Sequence, residues 1–450
     1  MLAQTNQRRP DFPLADRRRS WCHNLPSPLG LCGQIRGQYL DDNVELAASR
    51  ARDDLFGTNP KHSSDYNQRV TLQAIRRHGE LTRADLTRLT GLTAPTILKM
   101  TNRLEEAKII VETGRTSGGY GKPAAKLAIN PGGAYSIGLN IDRDHLTLVI
   151  VNLGGQVVSR ASIDVSFAPP ERVLSFVAEQ IEANFNAGAL PVNRLIGLGV
   201  AIPDDLGLEK TRYHNQPEDY ARWSTVQIGD LLSSVYNLPV IVENDAAAAA
   251  IGELHFGTGP RFRNFIYVLI CAGLGGSIVI NGECYRGTNG RSGEIGFVPQ
   301  YDPLHPDAAD PAKSIGEAAV FAELVASLQP RGINLRQVRG FDGLDNFTRT
   351  QVQEWLNRVA DLLYLPLVSL ACGLDPEMIY FGGRVPDFMI DDLTDRLSGR
   401  VESLKARLPV VPRFSRATLS EDASAIGAAV LPIHDQLLPS KDTLLKAMNL

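Results

Sequence analysis

The sequence is short of cysteine and of long uncharged runs, and each shortage excludes something. Its five cysteines, Cys22, Cys32, Cys271, Cys284 and Cys372, form no Cys-x-x-Cys pair and no cluster. Neither a disulfide framework nor a Cys-rich zinc site is expected, and no metal or cofactor is assigned. This usage fits a reducing, cytoplasmic setting. The longest uncharged stretch runs from Asn264 to Gly282. Its Gly273-Leu274-Gly275-Gly276 centre reads as a turn between buried strands, not as a membrane span. No apolar segment follows a basic start, so no signal peptide is expected. No internal repeat stands out, which argues against a solenoid.

What is present is ordinary globular material: 450 residues, 43% hydrophobic and 21% charged, enough for several cores. The net charge of −4 conceals an asymmetry. Residues 1–130 carry 20 Lys and Arg against 13 Asp and Glu, whereas residues 131–450 carry 26 against 37. A basic front on an acidic body points to a polyanionic partner for the front alone.

Residues 1–60 hold Pro10, Pro13, Pro26, Pro28, Pro60 and the run Arg17-Arg18-Arg19, without periodic pattern. They are expected to form a mostly disordered extension with a short helix near 42–54. From Asp65 the pattern sharpens. Val70, Leu72 and Ile75 predict a helix ending near His78-Gly79. Thr82-Arg83-Ala84-Asp85 reads as a capping box with Asp in place of Glu, opening a short helix. Gly91-Leu92-Thr93 makes a tight turn, Thr93 can cap the next helix, and Pro95 is tolerated in its first turn. Ile97, Leu98, Met100 and Leu104 form its expected apolar side. Ile109–Val111 and Ala125–Ile129 read as a β-hairpin around a Gly-rich loop.

Helix, helix, tight turn, helix and hairpin make a winged helix-turn-helix over 61–130. The second helix of the turn would present Thr93, Ala94, Pro95 and Thr96 to base edges, with Lys99 one turn on. Arg83, Arg88 and Arg103 can neutralise phosphates, and the wing offers Arg115 and Lys122. Residues 61–130 hold 12 basic against 6 acidic side chains.

After Asn130-Pro131-Gly132-Gly133 strands and helices alternate, predicting an α/β body over 131–450 with two lobes and a cleft. Helices are expected at 170–187, 224–236, 245–256, 316–328 and 350–372. Four segments carry chemistry: Asn140-Ile141-Asp142-Arg143-Asp144, Glu243-Asn244-Asp245, Gly273-Leu274-Gly275-Gly276 and Ser292-Gly293-Glu294-Ile295-Gly296. Asp375-Pro376-Glu377 followed by Met378–Gly383 completes the order. A carboxylate beside an amide, as in Asn244-Asp245, suits sugar hydroxyls. The same pair can also cap the alanine-rich helix that follows.

This order of motifs resembles the ROK family (repressor, open reading frame, kinase) over about 65–450. The resemblance implies a two-lobed actin-like ATPase/hexokinase fold. Asp245 matches the family's catalytic base, Asn244 its sugar ligand, Glu294 a sugar-contact glutamate, and Glu317 a second one. Two departures limit the activity. The family's Asp-x-Gly-Gly-Thr phosphate loop reads Asn140-Ile141-Asp142-Arg143-Asp144, which removes a metal partner and fills the space left by glycine. Phe297 stands where the family has a zinc-site histidine, and no cysteine cluster follows. The resemblance therefore implies a sugar-responsive DNA-binding regulator, commonly a repressor and without kinase activity. Its partners would be operator DNA, a sugar effector and a second copy of the chain. A sugar kinase with a fused DNA-binding head, and a DNA-binding protein whose body is a ligand-free dimer scaffold, remain open alternatives.

Overall fold

A computed structural model describes residues 59–116, 123–204, 206, 218–257, 262–300, 314–319, 321–440 and 443. The helix expected near 42–54, nearly all of the expected extension, and wing residues 117–122 lie outside the described residues.

The chain begins with α1 (Pro60–His78), β1 (Leu81–Thr82), α2 (Arg83–Thr90), α3 (Ala94–Glu106), β2 (Ile110–Arg115) and β3 (Ala125–Ile129). The capping box forms as expected. Asp85 Oδ2 accepts from the Thr82 backbone N–H at 2.9 Å, and the Asp85 N–H donates to Thr82 Oγ1 at 3.2 Å. Gly91 ends α2 in the left-handed region, with φ 70°, which is what turns the chain into α3. Two expectations fail. Thr93 sits at the N-cap without a capping bond, and its hydroxyl pairs with that of Thr96 at 2.9 Å. The second helical residue is Pro95, which has no N–H to offer. Leu98 is half exposed, because the buried stripe runs Ile97, Met100, Thr101, Leu104 and passes beside it. The hairpin gains a third strand, in the order β1-β3-β2.

The body contains β4 (Tyr135–Ile141), β5 (His145–Asn152), β6 (Val157–Asp164), α4 (Pro170–Asn186), β7 (Leu195–Ile202), α5 (Ile228–Tyr236), β8 (Val240–Asn244) and α6 (Asp245–Phe256). It continues through β9 (Phe265–Ile270), β10 (Leu274–Ile280), β11 (Glu283–Tyr285), α7 (Ile315–Ala318), α8 (Phe321–Leu328), α9 (Asn346–Leu374), β12 (Met378–Gly383), α10 (Asp387–Glu402), β13 (Phe414–Arg416) and α11 (Ala423–Leu437). The run Asn264–Gly282 is indeed strand, turn, strand. The helix expected at 224–236 starts at Ile228 behind a 3-10 stretch, Glu218–Thr225, and that expected at 316–328 is split into α7 and α8.

The two lobes repeat one topology. Their sheets run β6-β5-β4-β7-β8 and β11-β10-β9-β12-β13. In each, three antiparallel strands precede two that join in parallel. The repeat is invisible in the residues because burial demands only apolar character at each site, not identity. Among the described residues one helix, α9, is long and apolar enough to cross a membrane. Its Val352, Trp355, Leu356, Val359, Leu363 and Leu367 are instead buried in the core of the second lobe.

Helix α11 ties the molecule together. It lies on the first sheet and against α6, where a Cβ at Gly427 would stand 1.7 Å from the Ala248 carbonyl oxygen. Only glycine permits that backbone approach. The front end of the chain is not a bead on a linker. Leu72, Ile75, Leu86, Ile97 and Leu127 share one buried cluster with Ala134, Leu153, Ile196, Ile433 and Leu437 of the body.

Candidate functional site

The helix-turn-helix presents an exposed face at the start of α3. Thr93, Ala94, Pro95 and Lys99 are exposed there, Thr96 is half-buried, and Arg103 and Arg115 are exposed nearby. Arg103 reaches Ser64 Oγ at 3.1 Å, and Arg115 lies 3.4 Å from Glu112. Arg83 behaves differently. It donates to Thr101 Oγ1 at 2.9 Å and pairs with Glu105 at 2.6 Å, so it braces α2 against α3. Lys122 lies outside the described residues.

Between the lobes one cavity is lined by Asn244, Asp245, Glu294, Glu317, Asp142 and Arg143. All four residues nominated for the sugar therefore meet. Strand β8 ends at Asn244 and α6 starts at Asp245, so the pair sits at a strand-to-helix junction. Asn244 Oδ1 accepts from the backbone N–H groups of Ala246 and Ala247 at 3.0 and 3.1 Å. Its carbonyl end is thus the helix cap. Asp245 is half-buried and lines the cavity. Burial, and then the charge of Asp142, push its carboxyl up to about 8, against the opposing pull of Arg143.

Glu294 is carried by a loop that lies on the glycine turn. A Cβ at Gly276 would meet the Gly293 carbonyl at 2.6 Å. The glycines of this turn therefore serve, at least here, to seat the Glu294 loop. Glu317 has a second duty. Its Oε2 accepts from the Ser314 N–H at 2.7 Å, closing a capping box at α7. The spacing Ser314-x-x-Glu317 carried that signal in the sequence. Phe297, in place of the family's histidine, also lines the cavity. His305 lies outside the described residues.

The other end of the cleft is filled. Asn140 Nδ2 donates to His145 Nε2 at 3.0 Å, and His145 Nδ1 donates to Asp144 Oδ1 at 2.6 Å. Asp144, from the first lobe, pairs with Arg336 and stands 3.8 Å from Arg384, both from the second. Arg384 also bonds Asp164 at 2.8 Å. Burial pushes the Asp144 carboxyl up, but the hydrogen bond from His145, with the charges of Arg336 and Arg384, outweighs it and holds the carboxyl well below its usual range. Asp142, Asp144 and His145 bring ligand atoms within 4.8 Å of one another. Three guanidiniums, Arg143, Arg336 and Arg384, already balance those carboxylates, so a cation added there would meet like charge. Sequence reasoning missed Arg336, Arg384, Asp164 and His145. No local spacing marks the Arg336–Asp144 and Arg384–Asp164 pairs, 192 and 220 residues apart, whereas His145 stands beside Asp144 and five residues from Asn140.

Two helices lead from the cleft to the front end of the chain. Helix α6 starts at Asp245, and its last turn meets α1: the Arg76 guanidinium lies 2.9 Å from His255 Nδ1 and 5.3 Å from the Phe256 ring centre. Burial, then the charge of Arg76, hold His255 well below its usual range, so a neutral ring accepts that bond. Helix α11 holds the Asp245 carbonyl through Ser424 Oγ at 3.0 Å. At its other end the Asp435 and Leu438 carbonyls accept from Arg69 of α1 at 2.5 and 3.1 Å.

Residues 136–435 match the family model described as "ROK family". The chain belongs to the ROK family. Ahead of this ROK body, residues 64–111 match the winged helix-turn-helix DNA-binding model, so the protein is a ROK transcriptional regulator with a DNA-binding head. It is 28% identical over 232 residues to the xylose repressor of Bacillus subtilis, covering 52% of this chain and 60% of that one. It is 24% identical over 238 residues to the DNA-binding transcriptional repressor Mlc of Escherichia coli, covering 53% and 58%. A solved ROK family transcriptional regulator, described as a homolog of the E. coli Mlc protein, superposes with a TM-score of 0.59 at 22% identity. That match covers 84% of this chain and 98% of the other, and it shows the shared fold.

Proposed function

We propose that this ROK protein is a sugar-responsive repressor of carbohydrate-use genes that acts in the cytoplasm as a homodimer and does not phosphorylate its ligand. One observation carries the reading: Asn244, Asp245, Glu294 and Glu317 line a single cavity, and the helix that starts at Asp245 ends against the DNA-binding head. A sugar that closes the lobes around Asp245 would shift α6 and α11, and with them Arg76 and Arg69. Two heads in a dimer would then change spacing on a pseudo-palindrome. The relatives named for repression, one of them a xylose repressor, support the sign and the sugar class.

The filled end of the cleft supports the absence of kinase chemistry. Phosphoryl transfer requires backbone N–H groups around the phosphates and a metal held by carboxylates. Here Asp142 and Arg143 occupy that place, and Asp144 is committed to Arg336. Asp245 alone positions nothing for transfer.

The test is operator binding. DNA fragments selected from the source genome by full-length protein would be titrated by fluorescence anisotropy with and without xylose and other sugars. Sequence-selective binding that weakens with one sugar supports the proposal. Binding without selectivity, or selective binding that no sugar alters, overturns it. Sugar-dependent ADP release, lost in Asp245→Ala, would favour the kinase reading instead.

A further inference from the structure

We infer that the effector cleft continues into a second subsite, built to hold a further sugar ring, so that the ligand class is a neutral disaccharide or other glycoside. This rests on the sugar-effector reading above. A second cavity adjoins the first and shares Asp204, Asn244, Gly276 and Glu294 with it. Asn244 and Glu294 thus face both spaces, and a ligand anchored on them can extend either way. Towards Asp142 and Arg143 the way is closed by buried charges. Towards the second cavity the lining is shared, through Asp204, Asn244, Gly276 and Glu294.

The second chamber is already organised. Glu243 is buried and makes a two-pronged ion pair with Arg286 across its floor. The same carboxylate accepts from the Asn244 N–H at 3.0 Å, so the floor of the chamber and the sugar amide form one rigid unit. At the mouth stands Tyr285, 53% exposed. Arg291 borders it, exposed and without a hydrogen-bond or ion-pair partner among the described residues. A pyranose presents a C–H face and a rim of hydroxyls. An exposed aromatic ring fits the former, and planar guanidinium and carboxylate groups fit the latter. The charges select against a phosphorylated ligand. Asp204, Glu243 and Glu294 outnumber Arg286 and Arg291 around the chamber, and a phosphate there would meet net negative charge.

The test is calorimetry on the full-length protein with matched pairs: xylose and xylobiose, glucose and maltose, glucose and cellobiose, galactose and lactose, with glucose 6-phosphate added. The disaccharide of at least one pair should bind about tenfold or more tightly than its monosaccharide. Tyr285→Ala and Arg291→Ala, both at exposed positions, should erase that gain and leave monosaccharide affinity unchanged. A monosaccharide that binds with no gain from any disaccharide overturns the second subsite and leaves the sugar-effector reading standing. Variants that weaken both ligands alike, or tighter binding of glucose 6-phosphate than of any disaccharide, also overturn it. If no sugar of either size binds, the sugar-effector reading falls and the subsite falls with it.

Discussion

The two ends of the cleft have parted ways. At the Asn244-Asp245 end polar side chains converge on open space. At the Asn140–Asp144 end carboxylates, a histidine and arginines from both lobes consume one another's hydrogen-bonding and charge. The same fold thus carries one end whose polar side chains line open space and one whose charged side chains pair across the lobes. An enzyme acting on a sugar and a nucleotide needs both ends vacant, whereas a sensor needs only one. The filled end also spans the lobes, since Asp144 and Asp164 lie in the first and Arg336 and Arg384 in the second. The cleft is therefore pinned on one side and open on the other, as suits a hinge.

The sharpest way to break this comparison is to cut the pin. Asp144→Ala leaves Arg336 and Arg384 with only the exposed Asp164 between them, and removing one partner of a largely buried pair costs about 3 kcal/mol. Urea denaturation should show that loss. An unchanged midpoint would mean that the network carries no weight. At the open end the expected effects are on ligand instead. Asn244→Ala, Asp245→Ala and Glu294→Ala should each weaken the sugar response about tenfold, since leaving a buried hydroxyl without its hydrogen-bond partner costs roughly 1–3 kcal/mol. Operator affinity, read by anisotropy, should stay at the parent value.

Titration distinguishes the ends further. Asp245 is raised to about 8 by burial and by Asp142, with Arg143, Asp204 and Cys271 also facing it. The unfolded chain gives up this proton near pH 4, while the folded chain keeps it until pH about 8. Between those values the unfolded state binds fewer protons, so this group makes stability fall as pH rises. Thermal melting of Asp245→Asn should lack that part of the decline, and parallel curves for parent and variant would refute the assignment. Restoring the family's loop with Asn140→Asp, Asp142→Gly and Arg143→Gly tests the filled end from the other direction. The parent should show no ATP binding at millimolar concentration by calorimetry, and the triple variant should recover some.

The smallest effects belong to the head. Lys99→Ala and Arg103→Ala should each flatten the salt dependence of DNA binding by about one unit if they meet phosphates. Arg83→Ala should act mainly on stability, because its guanidinium already holds Thr101 and Glu105.

Legibility followed distance along the chain. The Thr82–Asp85 box, the turn at Gly91 and the Asn244 cap are contacts between residues four apart or fewer, and such spacings can be read directly. The capping duty of Glu317 is equally readable from the spacing Ser314-x-x-Glu317. The side of α3 occupied by Leu98 was misread because one residue's step around a helix decides burial, and α3 packs on a narrow stripe.

The residues alone determined the order of the modules, the loss of the phosphate-loop glycines, and the adjacent amide and carboxylate that nominate a sugar. These are matters of local geometry and residue chemistry, which neighbours in sequence impose on one another. Only the tertiary structure decided that Arg336 and Arg384 close one end of the cleft, that the lobes share a topology, that a second chamber opens beyond Asn244, and that the head shares a core with the body through Leu72, Ile75, Ile196 and Ile433. Those contacts join segments tens to hundreds of residues apart, and packing selects them by shape, burial and charge balance rather than by any spacing a linear pattern records.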